Sequence, residues 1–190
     1  MTEFEKMISG NLYDASDPEL VFLRQKAHRL CLQFNQLFDT DETARCEILK
    51  DLLQVTNEQV ENDIYFQGSI FFDYGINIKI GKNFYANFNT TILDVCPVTI
   101  GDNVMLGTNV SLLTPMHPMN FQERNKMLEF GRPIEIGNNC WLASNVTVIG
   151  GVKIGSGSVI GAGSVVTKDV PPDVFAAGNP CKVIKSINQN

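Results

Sequence analysis

Between residues 134 and 170 the apolar positions recur every six residues. Ile136, Leu142, Val148, Ile154, Ile160 and Val166 form one series, and Ile134, Cys140, Val146, Val152, Ser158, Ser164 and Val170 form a second, two residues earlier. Gly137, Ala143, Gly155 and Gly161 follow the first series directly. A period of six is neither helical nor strand-like by itself. It fits a short strand and a tight turn, repeated, with aliphatics pointing inward and small residues where the chain bends. One such unit cannot bury its apolar side, so successive turns must stack into a solenoid whose core is a ladder of like side chains.

The pattern extends upstream. Val98, Val104 and Val110 pair with Ile100, Leu106 and Leu112, and Ile76, Ile78 and Ile80 alternate with polar residues. Ile80-Gly81 and Ile100-Gly101 lie twenty residues apart, two more than three hexads, which predicts a small bulge in the segment LDVCP, 93–97. From 114 to 133 the series stops. TPMHPMNFQERNKMLEFGRP carries prolines, charges and one of the two histidines, and an irregular insertion of this length in a regular ladder points to function.

Residues 1–60 lack the six-residue period and read as helices. Thr2 and Glu5 make a capping box, with Gly10 placed to stop that helix. Asp17-Pro18 opens a second, in which Leu20, Leu23, Ala27, Leu30, Cys31, Phe34, Leu37 and Phe38 recur mostly at spacings of three and four. A third is expected from Asp39, with Glu42 three residues on, through Leu53. The organisation is thus a helical cap over 1–60, covering strand edges at one end, and a solenoid over 61–190 that carries the 114–133 insertion.

Composition narrows the function. The chain has 190 residues, 44% of them hydrophobic and 19% charged, enough for a substantial core in an ordinary soluble protein. A formal net charge of -6 argues against nucleic-acid binding. No apolar run reaches the length of a membrane span, and MTEFEKMISG lacks the basic start and apolar middle of a secretory signal, so a cytoplasmic protein without membrane partners is expected. Five cysteines without CxxC spacing suggest neither a disulfide framework nor a zinc site, and Cys140 falls on an inward position as a small hydrophobe.

The paired hexapeptide runs, the insertion beginning TPMHP, the CWLASN turn, the ending GSVVTKDVPPDVFAAGNPCKVIK, the N-terminal MISGNLYDASDPEL and NFYANFN at 83–89 resemble the maltose/galactoside O-acetyltransferases of the hexapeptide-repeat acyltransferase superfamily. The resemblance implies a left-handed parallel β-helix with an N-terminal α-helical cap, three hexads to a coil, against the usual right-handed preference of β-crossovers. It also implies a homotrimer, with acetyl-CoA in a groove between neighbouring subunits, no metal, and a sugar or glycoside hydroxyl as acetyl acceptor.

Within that resemblance His117, in TPMHP, is the general base, and imidazole suits the task because its ordinary pKa lies near neutrality. Glu129, late in the same insertion, would orient the imidazole or touch the acceptor. Asp17, Asp73 and Asn87 match acceptor-binding positions, since carboxylates and amides pair with sugar hydroxyls; Asp17 reads equally as a plain helix N-cap. For the coenzyme the resemblance assigns Ser144, Ala162, Thr167, Lys168, Lys182 and Lys185, the lysines supplying charge for phosphate without the fork of arginine. Trp141, the single tryptophan, points outward to wall the site or pack against another subunit. Backbone N–H groups at Ala143-Ser144 are candidate oxyanion donors. His28 reads as a solvated residue on the polar side of its helix. Asp94-Val95 stands where galactoside-type members carry an acidic pair, which leaves the acceptor open. Three other readings compete: a non-sugar acceptor such as an amino acid or antibiotic, a non-catalytic scaffold, and a γ-type carbonic anhydrase, the last excluded because its zinc needs three histidines and the chain has two.

Overall fold

The computed structural model describes residues 1–188. Helix α1 (Glu3–Ile8) carries the expected capping box, and Gly10 follows it at φ +77°. Helix α2 (Pro18–Gln36) starts on the Asp17 carboxylate, which accepts the N–H groups of Glu19 and Leu20. The third helix departs from expectation. Asp39 adopts a left-handed φ of +55°, and α3 (Glu42–Leu53) is capped instead by Asp41, which accepts the Ala44 N–H. A further helix beyond those expected, α4 (Asn57–Asn62), has its own Thr56–Gln59 capping box.

From Ile64 the chain winds through parallel strands that stack into three sheets, a β-solenoid. The first sheet stacks Ile64–Phe66, Phe84–Ala86, Met105–Leu106, Trp141–Leu142, Val159–Ile160 and Val174–Ala177, and Lys182–Ser186 adds antiparallel at its end. The second stacks Ile70–Phe72, Thr90–Leu93, Ser111–Leu113, Thr147–Ile149 and Val165–Val166. The third stacks Ile78–Ile80, Val98–Ile100, Ile134–Ile136 and Lys153–Ile154. The register matches like with like: Leu142 lies between Leu106 and Ile160, and Val148 between Leu112 and Val166. All six of these side chains are fully buried.

Two of the corners are made by residues in the left-handed region. Asn83, Asn103 and Asn139, and then Gly157, occupy one; Asn89, Asn109 and Asn145, and then Gly163, occupy the other. Asparagine tolerates this conformation because its amide bonds locally, and here the amides also form ladders. Asn83 donates to Asn103 (3.0 Å), Asn103 to Asn139 (3.1 Å), Asn89 to Asn109 (3.0 Å) and Asn109 to Asn145 (3.1 Å). The glycines that follow the aliphatic series serve close approach between coils. A Cβ on Gly137 would fall 2.6 Å from the Ser156 backbone nitrogen.

The third corner, between the second and third sheets, is widened. Phe66 to Phe72 spans six residues, but Phe72 to Ile80 and Ile92 to Ile100 each span eight, and from Leu112 to Ile136 the insertion intervenes. The expected bulge at 93–97 therefore has a companion at 73–77, stacked against it. Below this corner Val148 to Ile154 returns to six.

The helices close the open end of the first coil. Asn35 bonds both backbone groups of Ile70 (2.8 and 3.0 Å), and Arg45, buried under Phe34 at 4.1 Å, donates to the Phe66 carbonyl (2.7 Å). These contacts satisfy polar groups that an uncapped sheet would leave bare.

Candidate active site

The insertion is ordered into an arm, which corrects its reading as irregular. Pro115–Met116 and Leu128–Gly131 pair antiparallel, Pro115 opposite Gly131 and Met116 opposite Phe130. A short helix, α5 (Phe121–Arg124), capped by Asn120, turns the chain between them. The returning strand, Leu128–Gly131, pairs on its other side with Tyr13–Asp14, Tyr13 opposite Glu129. This three-stranded sheet escaped the sequence reading because its strands are short and one partner lies more than a hundred residues away. His117 is exposed and directly follows Met116.

Where the arm meets the cap and the widened corner lies a cavity of about 430 Å³, lined by Tyr13, Asp14, Ala15, Ser16, Val21, Arg24, Asp73, Tyr74, Val95, Met127 and Glu129. Two of the expected acceptor residues, Asp73 and Glu129, face it together. The Tyr13 hydroxyl donates to Glu129 Oε2 at 2.8 Å, and Arg24 donates to the Tyr74 hydroxyl at 2.9 Å and to the Ala15 carbonyl at 3.2 Å. Burial raises the Asp73 pKa, opposed by His28 and Arg24, with Glu129 pushing it further up. Burial also raises the phenols, Tyr13 further by its bond to Glu129. The walls thus combine carboxylates, phenols and one guanidinium, a set suited to a neutral ligand bearing several hydroxyl groups.

His28 is not merely solvated: its Nε2 lies 3.6 Å from Asp73 Oδ1. Arg24, Tyr13 and Tyr74 were absent from the sequence-derived site, since nothing local marks them; the fold brings them together. Asp17 caps α2 and is not among the cavity-lining residues.

The remaining expected residues fall on two different corners. Asn87, Ser144 and Ala162 follow first-sheet strands on the corner shared with the second sheet, Ser144 and Ala162 on successive coils and Asn87 two coils before Ser144. Trp141 faces outward on the first sheet, 47% exposed, in register with Met105 and Val159. Lys182 and Lys185 are exposed on the antiparallel strand at that sheet's end, opposite Ala177 and Phe175. Thr167 and Lys168 lie across the second sheet, on the corner from which the arm leaves. At about 3.3 Å per residue the two corners are roughly 15 Å apart. The oxyanion expectation narrows too. The Ala143 N–H donates to the Ile160 carbonyl (2.9 Å), so of the two expected donors only the Ser144 N–H stays a candidate.

Comparison with known proteins gives consistent matches. Residues 6–56 match the maltose acetyltransferase hexapeptide capping motif, 133–168 the bacterial transferase hexapeptide (six repeats) and 95–113 the hexapeptide repeat of succinyl-transferase. The galactoside O-acetyltransferase of Escherichia coli K12 is 42% identical over 97% of this chain and 89% of its own. A maltose O-acetyltransferase from Clostridium difficile 630 superposes with a TM-score of 0.92 at 44% identity, covering 100% of this chain and 99% of that one. A galactoside acetyltransferase solved in complex with coenzyme A gives 0.88 at 40% identity, covering 99% and 92%.

Proposed function

We propose, from the premise that this chain belongs to the maltose/galactoside O-acetyltransferase family of hexapeptide-repeat acetyltransferases, that it moves acetyl from acetyl-CoA to a hydroxyl of a sugar or glycoside. The observation that carries the reading is the arm. It holds Glu129 in the wall of a hydroxyl-matching cavity and His117 one residue beyond Met116, whose ladder partner Phe130 is Glu129's neighbour. His117 and Glu129 thus share one hairpin, which supports reading them as base and acceptor wall.

In this scheme the acceptor sits against Asp73, Glu129 and Asn87. His117 takes the proton from its hydroxyl as the oxygen attacks the thioester carbonyl, with the Ser144 N–H donating to the oxyanion. The C–S bond then breaks, and the imidazolium returns the proton to the departing thiolate. No acetyl-enzyme forms. Trp141, Ser144, Ala162, Lys182 and Lys185 of one protomer, with Thr167 and Lys168 across the second sheet, hold the coenzyme, whose phosphates the lysines attract. A site whose parts stand on opposite corners is completed when the Ser144 corner of one copy meets the arm corner of another, so the working form is a homotrimer with interfacial sites. The outward stripe of Tyr65, Tyr85, Met105 and Trp141 on the first sheet supports such an interface.

The test is thiol release from acetyl-CoA across a panel of sugars and glycosides, with sizing in solution. Turnover is expected with at least one glycoside and a trimer-sized particle. His117→Ala should lower kcat by about 10²- to 10⁴-fold without changing that size. Wild-type protein that neither binds nor consumes acetyl-CoA overturns the reading.

A further inference from the structure

The widened corner contains a fully buried carboxylate with no place in the reaction above. Asp94 is 0% exposed, in the 93–97 bulge. Its Oδ1 accepts the Tyr74 N–H at 2.8 Å and its Oδ2 the Asn77 N–H at 3.2 Å, while the Asn77 side-chain amide donates back to the Asp94 carbonyl at 2.7 Å. The two bulges of the corner are thus bound to each other through one side chain. The bound segment, 73–77, presents Asp73 and Tyr74 to the cavity, and Val95, next in sequence to Asp94, is also in its wall.

The same bulge holds the root of the arm. The Cys96 N–H donates to Thr114 Oγ1 (3.0 Å), and that hydroxyl donates to the Leu93 carbonyl (2.7 Å). The Arg132 N–H reaches the Thr114 carbonyl (3.1 Å), joining both ends of the arm at one point. On the other side the Cys96 thiol donates to the Met7 carbonyl of α1 (3.1 Å). Cap, arm and 73–77 turn therefore meet at residues 94–96.

Burying a carboxylate is costly, and a bulge could be closed by apolar or neutral groups at less expense. What a carboxylate adds is two acceptor oxygens that fix two consecutive-turn amides in space. We infer that Asp94 is a positioning residue for acceptor binding, setting the 73–77 turn so that Asp73 and Tyr74 stand at a fixed distance from the arm. This rests on reading the cavity as the acceptor site. Asp94 itself touches no ligand. Its action falls on the Michaelis constant of the acceptor, because under that reading Asp73 faces the acceptor, while the arm carrying His117 is anchored through Cys96 and Thr114 and not through the Asp94 side chain.

The experiment uses Asp94→Asn, which keeps the volume but turns one acceptor oxygen into an N–H group facing a backbone N–H. A misplacement near 1 Å in a binding wall is worth about 10- to 100-fold. The acceptor KM is expected to rise by that factor, while the acetyl-CoA KM and kcat stay within about threefold. Gly75→Ala is the second variant. It displaces the same turn from outside, since Gly75 has φ +75° and an added Cβ would lie 2.5 Å from the Leu52 carbonyl oxygen; the same split is expected. An unchanged acceptor KM in both variants, or a parallel fall in kcat and both affinities, overturns the inference. Wild-type turnover tests the acetyltransferase reading separately. A crystal structure of Asp94→Asn needs no acceptor at all: Asp73 should be displaced, and an unmoved 73–77 turn sinks the proposal.

Discussion

Replacing Tyr13 by Phe isolates the bond that ties the cap to the arm. Tyr13 is 1% exposed, and its hydroxyl donates to Glu129 Oε2 at 2.8 Å. Burial and the neighbouring carboxylate raise the phenol's pKa, so it remains a donor throughout the working pH range. Phenylalanine keeps the ring, its packing and the backbone pairing of Tyr13 with Glu129, so only the O–H···O⁻ bond is lost. Bonds to charged acceptors contribute about 1.5–3 kcal/mol. Glu129 is half-buried, so water can restore part of its solvation, and about 1–2 kcal/mol is the expected loss. That corresponds to about a 5- to 30-fold larger population of detached arm. Trypsin can report it, because Arg124 and Lys126 are exposed at the arm's tip and cleavage follows the open population when closing is fast. The variant should be cut at these sites faster by that factor, with acceptor KM rising in parallel as Glu129 loses its orientation. Cleavage within twofold of wild type would refute the claim that this bond holds the arm.

Two further outcomes follow from corner geometry and burial. At Asn139, φ +58°, an alanine loses the ladder bond from Asn103 and adopts a left-handed conformation at a cost of about 1–2 kcal/mol. Asn139→Gly should therefore melt above Asn139→Ala, as Gly157 already occupies the same corner one coil on. Equal melting temperatures would mean that the conformation costs nothing there. Burial lifts the Asp94 carboxyl to about 6 against the backbone N–H groups of Tyr74, Gly75 and Asn77. A carboxyl whose pKa is higher folded than unfolded contributes stability that is complete below the unfolded value, 3.8, and is lost as pH rises through about 6. Wild type should thus lose stability relative to Asp94→Asn between about pH 4 and pH 6 and run parallel to it above pH 7, as read by denaturant melts; a difference that is flat or grows the other way contradicts it.

The solenoid was legible because each aliphatic position repeats the one above it, so a local period reports a long-range stack. Helix α2 was legible from Asp17-Pro18 and its apolar spacing. Helix α3 is capped two residues later than the Asp39 start that its sequence suggests, because Asp39 and Asp41 are both credible caps and only the backbone at Asp39 decides between them. The 93–97 bulge showed itself as an offset between two Ile-Gly pairs. Its companion at 73–77 had no earlier pair to be measured against. Of the cavity, Asp73 and Glu129 were reachable through resemblance, whereas Arg24 and Tyr74 carry no periodic or motif signal. They come together only because the 73–77 turn and α2 converge there. The arm's strands are invisible for the same reason: strands of two and four residues show no period, and Tyr13, partner of the longer one, is held by the cap.

The corner asparagines also separate what this architecture holds fixed from what it can vary. Two corners are locked from coil to coil by amides or glycines in one conformation, so a residue added there would throw every later rung out of phase. The third has no such lock, and successive coils already differ there in length. Segments exchanged at that seam would redraw the cavity beside the arm while the corner that carries Ser144 and Ala162 kept its spacing. New pockets could thus be built by changing length along a single line of the prism.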